Sequence, residues 1–213
     1  MKIKVFDYVL WIMTLLLTVG VFLMPETVPV HWDANWEVDG YGSRYLFLII
    51  VFLPVLVYYE MSLTKRIDPK RCNLEKRKKT YRLFQCGLTL FFLVMAVFFE
   101  YMTFNPHQDG EQFILLLVAA LLIGMGNYFP KIPQNYFFGI KTPWTLANEY
   151  VWKKTHKISG FGFVVIGLII AVCALTQFSY SYIVLMVTII AMTIVIYVYS
   201  YFLFKEKTKD IDE

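Results

Sequence analysis

The chain alternates between long apolar segments and short polar ones. Continuous apolar runs lie at 5–24, 45–63, 83–104, 113–129, 158–177 and 182–204. A hydrocarbon core of about 30 Å takes roughly 20 helical residues, whereas a barrel strand takes about 10 residues of alternating polarity. The runs have the first length and lack the alternation, and backbone in lipid must satisfy its own hydrogen bonds. The pattern therefore predicts an all-α membrane protein with six transmembrane helices. The first run follows Met1-Lys2-Ile3-Lys4 as a signal peptide would. It is long, however, and no small-x-small cleavage site follows it, so it reads as an uncleaved signal anchor.

Composition and charge refine this picture. Hydrophobic residues are 58% of the chain and charged ones 17%, confined to a few short stretches, which excludes a solvent-exposed globule. Short basic loops resist translocation. Placing both termini in the cytoplasm keeps 19 of the 20 Lys and Arg inside, leaving only Arg44 outside. The expected organisation is a two-span region with an external acidic loop (1–64), a basic cytoplasmic loop (65–82), a four-span region (83–204) and a cytoplasmic tail (205–213). The outer loops carry Glu26, Asp33, Glu37, Asp39, Asp109 and Glu111, so a net charge of +4 hides an acidic outer face that attracts a cationic ligand. The basic loops suit anionic membrane lipid, at roughly 1 kcal/mol per residue near the surface, and imply no direct nucleic-acid contact.

The loop between the first two spans reads as ordered. Pro25 and Pro29 hold it extended, and Asp39-Gly40 and Gly42-Ser43 are turn signals. Trp32, Trp36 and Tyr41 suit the headgroup level. His31 and Asp33, with Glu37 and Asp39, leave two readings open: a site for a divalent transition metal, or a hydrogen-bonded His beside a solvated acidic turn. Without a repeated ligand spacing we assign no metal, cofactor or catalytic residue. Pro29, His31, Trp32, Asp33, Asp39 and Tyr41 are taken as the ligand-binding set of the outer loop. Cys72, Cys86 and Cys173 fall in the inner loop or within spans, so no external disulfide is expected.

The polar strip from Gly126 to His156, between the fourth and fifth spans, is dense in Pro, Asn, Trp and Lys. Asn127 stands where the fourth helix must stop before Pro130. Gly139 supplies either a positive φ or a close backbone approach. Thr142-Pro143 is a helix start, with Thr at N-cap and Pro at N1. The helix it opens would run to His156 as a cytoplasmic interfacial helix, with Trp144 and Trp152 as membrane anchors and His156 a C-terminal cation. Lys141, in a constrained turn, is placed for a lipid phosphate or a partner's carboxylate. No ionisable group lies near a midplane, as a coupled transporter would need. Small residues in the fourth and fifth spans, including Ala119, Gly126, Ser159, Gly160 and Gly167, predict that this pair packs closely.

Two stretches resemble a known family. Pro25-x-x-x-Pro29-Val30-His31-Trp32-Asp33 followed by Asp39-Gly40-Tyr41-Gly42-Ser43-Arg44 is similar to the uncharacterised N-terminal domain that accompanies the SdpI family of bacterial membrane proteins. That family commonly has a Gly ahead of the second acidic turn, where Trp36 stands here. Gly126-Asn127-Tyr128-x-Pro130-Lys131, Asn135-Tyr136-x-x-Gly139-Ile140-Lys141-Thr142-Pro143-Trp144-Thr145-Leu146 and Glu149-x-Val151-Trp152-x-Lys154-Thr155-His156 resemble the SdpI core, in order. The resemblance implies a multi-pass plasma-membrane protein, not an enzyme, that gives immunity to a secreted toxin peptide, senses it, and recruits a cytoplasmic transcriptional repressor. Asn127, Pro130, Asn135, Gly139, Lys141, Thr142, Pro143, Trp144, Thr145, Trp152 and His156 would form its signature and partner-binding set. The competing classes are a small-solute transporter and a metal-dependent membrane enzyme.

Overall fold

The computed structural model describes residues 3–33, 36–106 and 108–212, and only the backbone at 3–4 and 209–212. Lys2 and, within the acidic loop, Ala34 and Asn35 lie outside the described residues. Among the described residues six helices are long and apolar enough to cross a membrane: α1 (Ile3–Leu23), α2 (Phe47–Ile67), α4 (Lys78–Phe104), α5 (Glu111–Tyr128), α7 (Glu149–Leu175) and α8 (Ser181–Asp212). Two short helices, α3 (Arg71–Lys76) and α6 (Pro143–Ala147), complete the helical set.

The all-α expectation needs one correction. The loop after α1 folds as an antiparallel hairpin of β1 (Thr27–Trp32) and β2 (Val38–Ser43), with irregular register around His31. β2 alternates half-buried and exposed positions, the period of a pleated strand. Its Asp, Gly and Ser content reads as turn in sequence; pairing with the Val- and Trp-bearing β1 makes it a strand.

The chain divides into two compact units, residues 1–62 with 85–111, and residues 63–84 with 112–213; α2 and α4 run through the division. In the first unit Leu17 and Val21 of α1, Phe47 and Val51 of α2, and Leu93 and Ala96 of α4 form one core. Val28, fully buried, pins β1 into it. Pro25 prevents α1 from continuing. The Arg44 guanidinium donates to the carbonyls of Phe22 (3.2 Å) and Met24 (2.8 Å), satisfying the orphan C-terminal end of that helix. The one basic residue expected outside thus has a structural use.

In the second unit Leu115, Ala119 and Leu122 of α5 pack on Ile166, Ile170 and Ala174 of α7. The small residues do bring this pair together. A Cβ on Gly160 would lie 2.6 Å from the Gly126 carbonyl and 2.8 Å from the Pro130 ring.

Two boundaries differ from the sequence expectation. The 65–82 stretch is mostly helical, because α2 continues to Ile67, α3 follows, and α4 begins at Lys78. No single interfacial helix spans 142–156. α6 ends at Ala147, Asn148 is extended (φ −137°, ψ 124°), and α7 starts at Glu149 and runs unbroken to Leu175. The cause is Asn148, whose side-chain oxygen accepts from the amides of Tyr150 (2.8 Å) and Val151 (3.2 Å). That side chain is an N-cap, and it restarts the helix.

Candidate functional site

Two constellations bear on function, one in each unit. The first is the hairpin. Asp33 closes its turn: its amide donates to the Glu37 carbonyl (2.8 Å), and its carboxylate accepts from the Glu37 amide (2.9 Å). Trp36 takes φ 64°, the left-handed region that a side chain other than Gly rarely adopts. That backbone is held by ring packing. Trp36 stacks on Trp32 (6.0 Å, 20°), Trp32 meets Phe99 at 5.9 Å, and Trp36 meets Phe98 at 6.5 Å. Both tryptophans therefore dock the hairpin tip on α4, a use that the headgroup-level expectation did not include.

His31 Nδ1 pairs with Asp39 Oδ1 at 2.5 Å on an exposed surface, with side chains 69% and 49% accessible. Asp33 is committed to the turn and is not part of that pair. Among the described residues no group of three or more His, Cys, Asp or Glu comes together in a way that would hold a metal ion.

Beside the hairpin lies a cleft of about 780 Å³. Pro25, Pro29, Trp36 and Tyr41 line it from the hairpin side, and Thr103, Pro106 and Gln108 from the end of α4 and the loop after it. Glu37 and Asp109 are the acidic residues of its described lining. Of the six outer-loop residues picked from sequence, Pro29 and Tyr41 reach this cleft, Trp32 packs on Trp36 and Phe99, Asp33 holds the turn, and His31 with Asp39 lies outside the lining. Pro106 and Asp109-Gly110 are turn signals in the sequence. Nothing local says that they meet the hairpin.

The second constellation is the polar strip, folded into a knot. Asn127, in the last turn of α5, donates to the Ile123 carbonyl (2.9 Å). After the Phe129–Lys131 turn, Asn135 is fully buried and has four partners. It donates to the carbonyls of Pro133 (3.0 Å) and Phe138 (2.9 Å) and accepts from the amides of Phe137 and Phe138 (2.9 Å each). The side chain thereby substitutes for secondary structure in a buried loop.

Gly139 meets both expectations for it. Its φ is +101°, and a Cβ there would lie 2.6 Å from His156 Nε2. His156 is buried near the start of α7 and is not a C-terminal cation. Its Nε2 accepts from the Ile140 amide (3.0 Å), which leaves Nδ1–H to donate to the Trp152 carbonyl (2.9 Å), so the ring is neutral. Trp152 is not a lipid anchor. Fully buried, it stacks on His156 at 4.0 Å and donates its indole N–H to the Ile132 carbonyl (2.9 Å).

Thr142 caps α6 in a reciprocal box with Thr145, and Thr145 also donates to the Ile140 carbonyl (2.8 Å). The Thr142 hydroxyl donates to Ser200 of α8 (3.1 Å), and Trp144 lies edge-on to Tyr197 and Tyr201 of the same helix. Asn135, Thr142, Thr145, Trp152 and His156 are therefore interior, whereas Asn127, Pro130, Lys141 and Pro143 are exposed and Gly139 and Trp144 are half-buried. Lys141 Nζ donates to the Phe137 carbonyl (2.8 Å).

Sequence reasoning passed over the residues that tie the 65–82 stretch to this knot. Asp68, 1% exposed, accepts from the Lys70 amide (2.6 Å) and from the Tyr136 amide (2.9 Å). Gln134 accepts from Lys70 Nζ (2.5 Å) and donates to the carbonyls of Thr145 (2.7 Å) and Leu146 (2.9 Å). The available signal was Asp68 itself, one of two carboxylates amid nine basic residues and placed just before a Pro.

Comparison with known proteins agrees with this division. Residues 131–200 match the SdpI/YfhL protein family, and residues 9–57 match a domain of unknown function (DUF1648). The first match takes in most of the knot with α7 and much of α8, and the second α1, the hairpin and half of α2. The immunity protein SdpI of Bacillus subtilis (strain 168) is 28% identical over 149 residues, which are 70% of each chain. No solved structure matches. Residues 131–200 are thus similar to the SdpI family, and this match together with six membrane-length helices points to a multi-pass bacterial membrane protein.

Proposed function

We propose that this protein is a non-enzymatic immunity protein that protects a bacterial cell against a secreted toxin peptide. The observation that carries the reading is the 28% identity to an immunity protein over 70% of each chain, beside the separate matches of both family regions. The charge distribution supports an orientation with both termini in the cytoplasm, the hairpin outside, and the knot with its 65–82 partner inside, against anionic lipid.

Toxin occupancy is also sensed, and a cytoplasmic transcriptional repressor is recruited at the inner face. Lys141, Pro143 and Trp144 offer it an accessible part of the signature, next to Asn135, Thr142, Thr145, Trp152 and His156, which are buried and spent on internal bonds. The test is expression in a sensitive bacterium challenged with secreted peptides of its neighbours. Cells carrying the protein survive where control cells die; equal killing of both sinks the immunity reading. Alanine at Lys141 or Trp144, with membrane levels unchanged, should abolish repressor recruitment and spare protection. Orientation is checked by labelling intact cells, where Lys153 and Lys154 should stay unreactive.

A further inference from the structure

The cleft beside the hairpin joins residues that neither the outer-loop set nor the knot contains. Its apolar wall is built from prolines and aromatic rings, which present rigid surface at little entropic cost. The charged residues among its described lining are both acidic, Glu37 from the hairpin turn and Asp109 from the loop after α4. The positive charge nearest in sequence, Arg44, is occupied at the α1 carbonyls and is absent from the lining. The cleft is anchored on both sides. Trp36 is wedged against Phe98, and a Cβ on Gly110 would lie 2.5 Å from the Phe98 ring and 2.7 Å from the Trp36 ring, so the Asp109-Gly110 turn sits directly on the docked hairpin tip. Asp109 itself is fixed by accepting from the Glu111 amide (2.9 Å). Two carboxylates on a Pro- and Trp-lined wall, with no basic residue among the described lining residues, match a peptide that offers a basic side chain flanked by apolar ones.

We propose that this cleft is the peptide-binding site, taking a Lys or Arg side chain between Glu37 and Asp109 while neighbouring apolar residues of the peptide lie on Pro29, Trp36 and Pro106. The proposal deepens the immunity reading and rests on it for the identity of the natural ligand, but the cleft can be tested separately. The probe is a synthetic nonapeptide of alternating leucine and lysine, titrated by fluorescence anisotropy against the protein in zwitterionic nanodiscs, with a leucine–glutamate nonapeptide and empty nanodiscs as controls.

The basic peptide should bind, weaken with added salt, and lose roughly tenfold in affinity in the double variant Glu37→Gln/Asp109→Asn. Both substitutions keep size, and the side-chain amide oxygen introduced by Asp109→Asn can still accept from the Glu111 amide. The Glu75→Gln variant, which removes a charge from an exposed position of α3, should bind as the unchanged protein does. Charge reversal by Glu37→Lys should abolish binding, and an unaltered near-ultraviolet circular dichroism spectrum shows that it folds. Equal affinity of the double and unchanged proteins, or of nanodiscs with and without protein, overturns the proposal. Failure of the immunity reading shows itself elsewhere, as absence of protection by the unchanged protein. Full protection by the double variant would remove the cleft and leave that reading standing.

Discussion

Replacing His156 by Leu tests whether the knot is held by hydrogen bonding or by bulk. The imidazole accepts from the Ile140 amide at 3.0 Å, donates to the Trp152 carbonyl at 2.9 Å and stacks on the Trp152 ring at 4.0 Å. Leucine fills a similar volume but offers neither polar contact. Leaving the enclosed Ile140 N–H without an acceptor costs about 1–3 kcal/mol. Loss of ring stacking adds about 0.5–1.5 kcal/mol. The expected destabilisation is therefore roughly 1.5–4.5 kcal/mol. Reversible unfolding in mixed micelles, titrated with a denaturing detergent and followed by tryptophan fluorescence, measures it. Glutamine at the same position supplies an amide oxygen that can accept from the Ile140 amide, so it should recover about half of the loss. Equal losses for Leu and Gln, or a loss below about 0.5 kcal/mol for Leu, would refute the hydrogen-bond account.

Three other perturbations follow from the same geometry. Gly139→Ala places a Cβ 2.6 Å from His156 Nε2 on a backbone at φ +101°, and should cost about 1–3 kcal/mol in the same unfolding assay. Asp68→Asn keeps one acceptor but turns an amide group towards the backbone N–H of Lys70 or Tyr136; protection of the Tyr136 amide from hydrogen exchange should fall about tenfold, and unchanged protection would contradict its role as a clasp. Trp36→Gly relieves a left-handed residue by about 1 kcal/mol but removes the ring stacked on Trp32, so the hairpin should loosen on balance; a net gain in stability would show that the strain outweighs the packing.

The sequence by itself determined the membrane class and the six spans, because the length of an apolar run is set by bilayer thickness and needs no knowledge of neighbours. It also determined that the fourth and fifth apolar segments approach closely, since Gly126, Gly160 and Gly167 leave no other use for so many missing side chains. The importance of Asn135, Gly139, Thr142, Trp152 and His156 was visible as a pattern, but their purpose was not. An amphipathic reading of 142–156 assumes one helix and a free face. Asn148 breaks that helix with a local cap, and the turn from Phe129 to Ile140 folds back over Trp152 and His156 and buries what looked like a lipid face.

Only the tertiary structure decided which polar groups find each other across long stretches of chain. Asp68 meets Tyr136, Lys70 meets Gln134, and Glu37 and Asp109 line one cleft. Such pairings depend on loop closure and on the docking of Trp32 and Trp36 against α4, neither of which leaves a period in the sequence. The hairpin was hidden for the same reason. A two-stranded ribbon is marginal alone and exists here because Val28 is buried against helices and the two indole rings pack on α4.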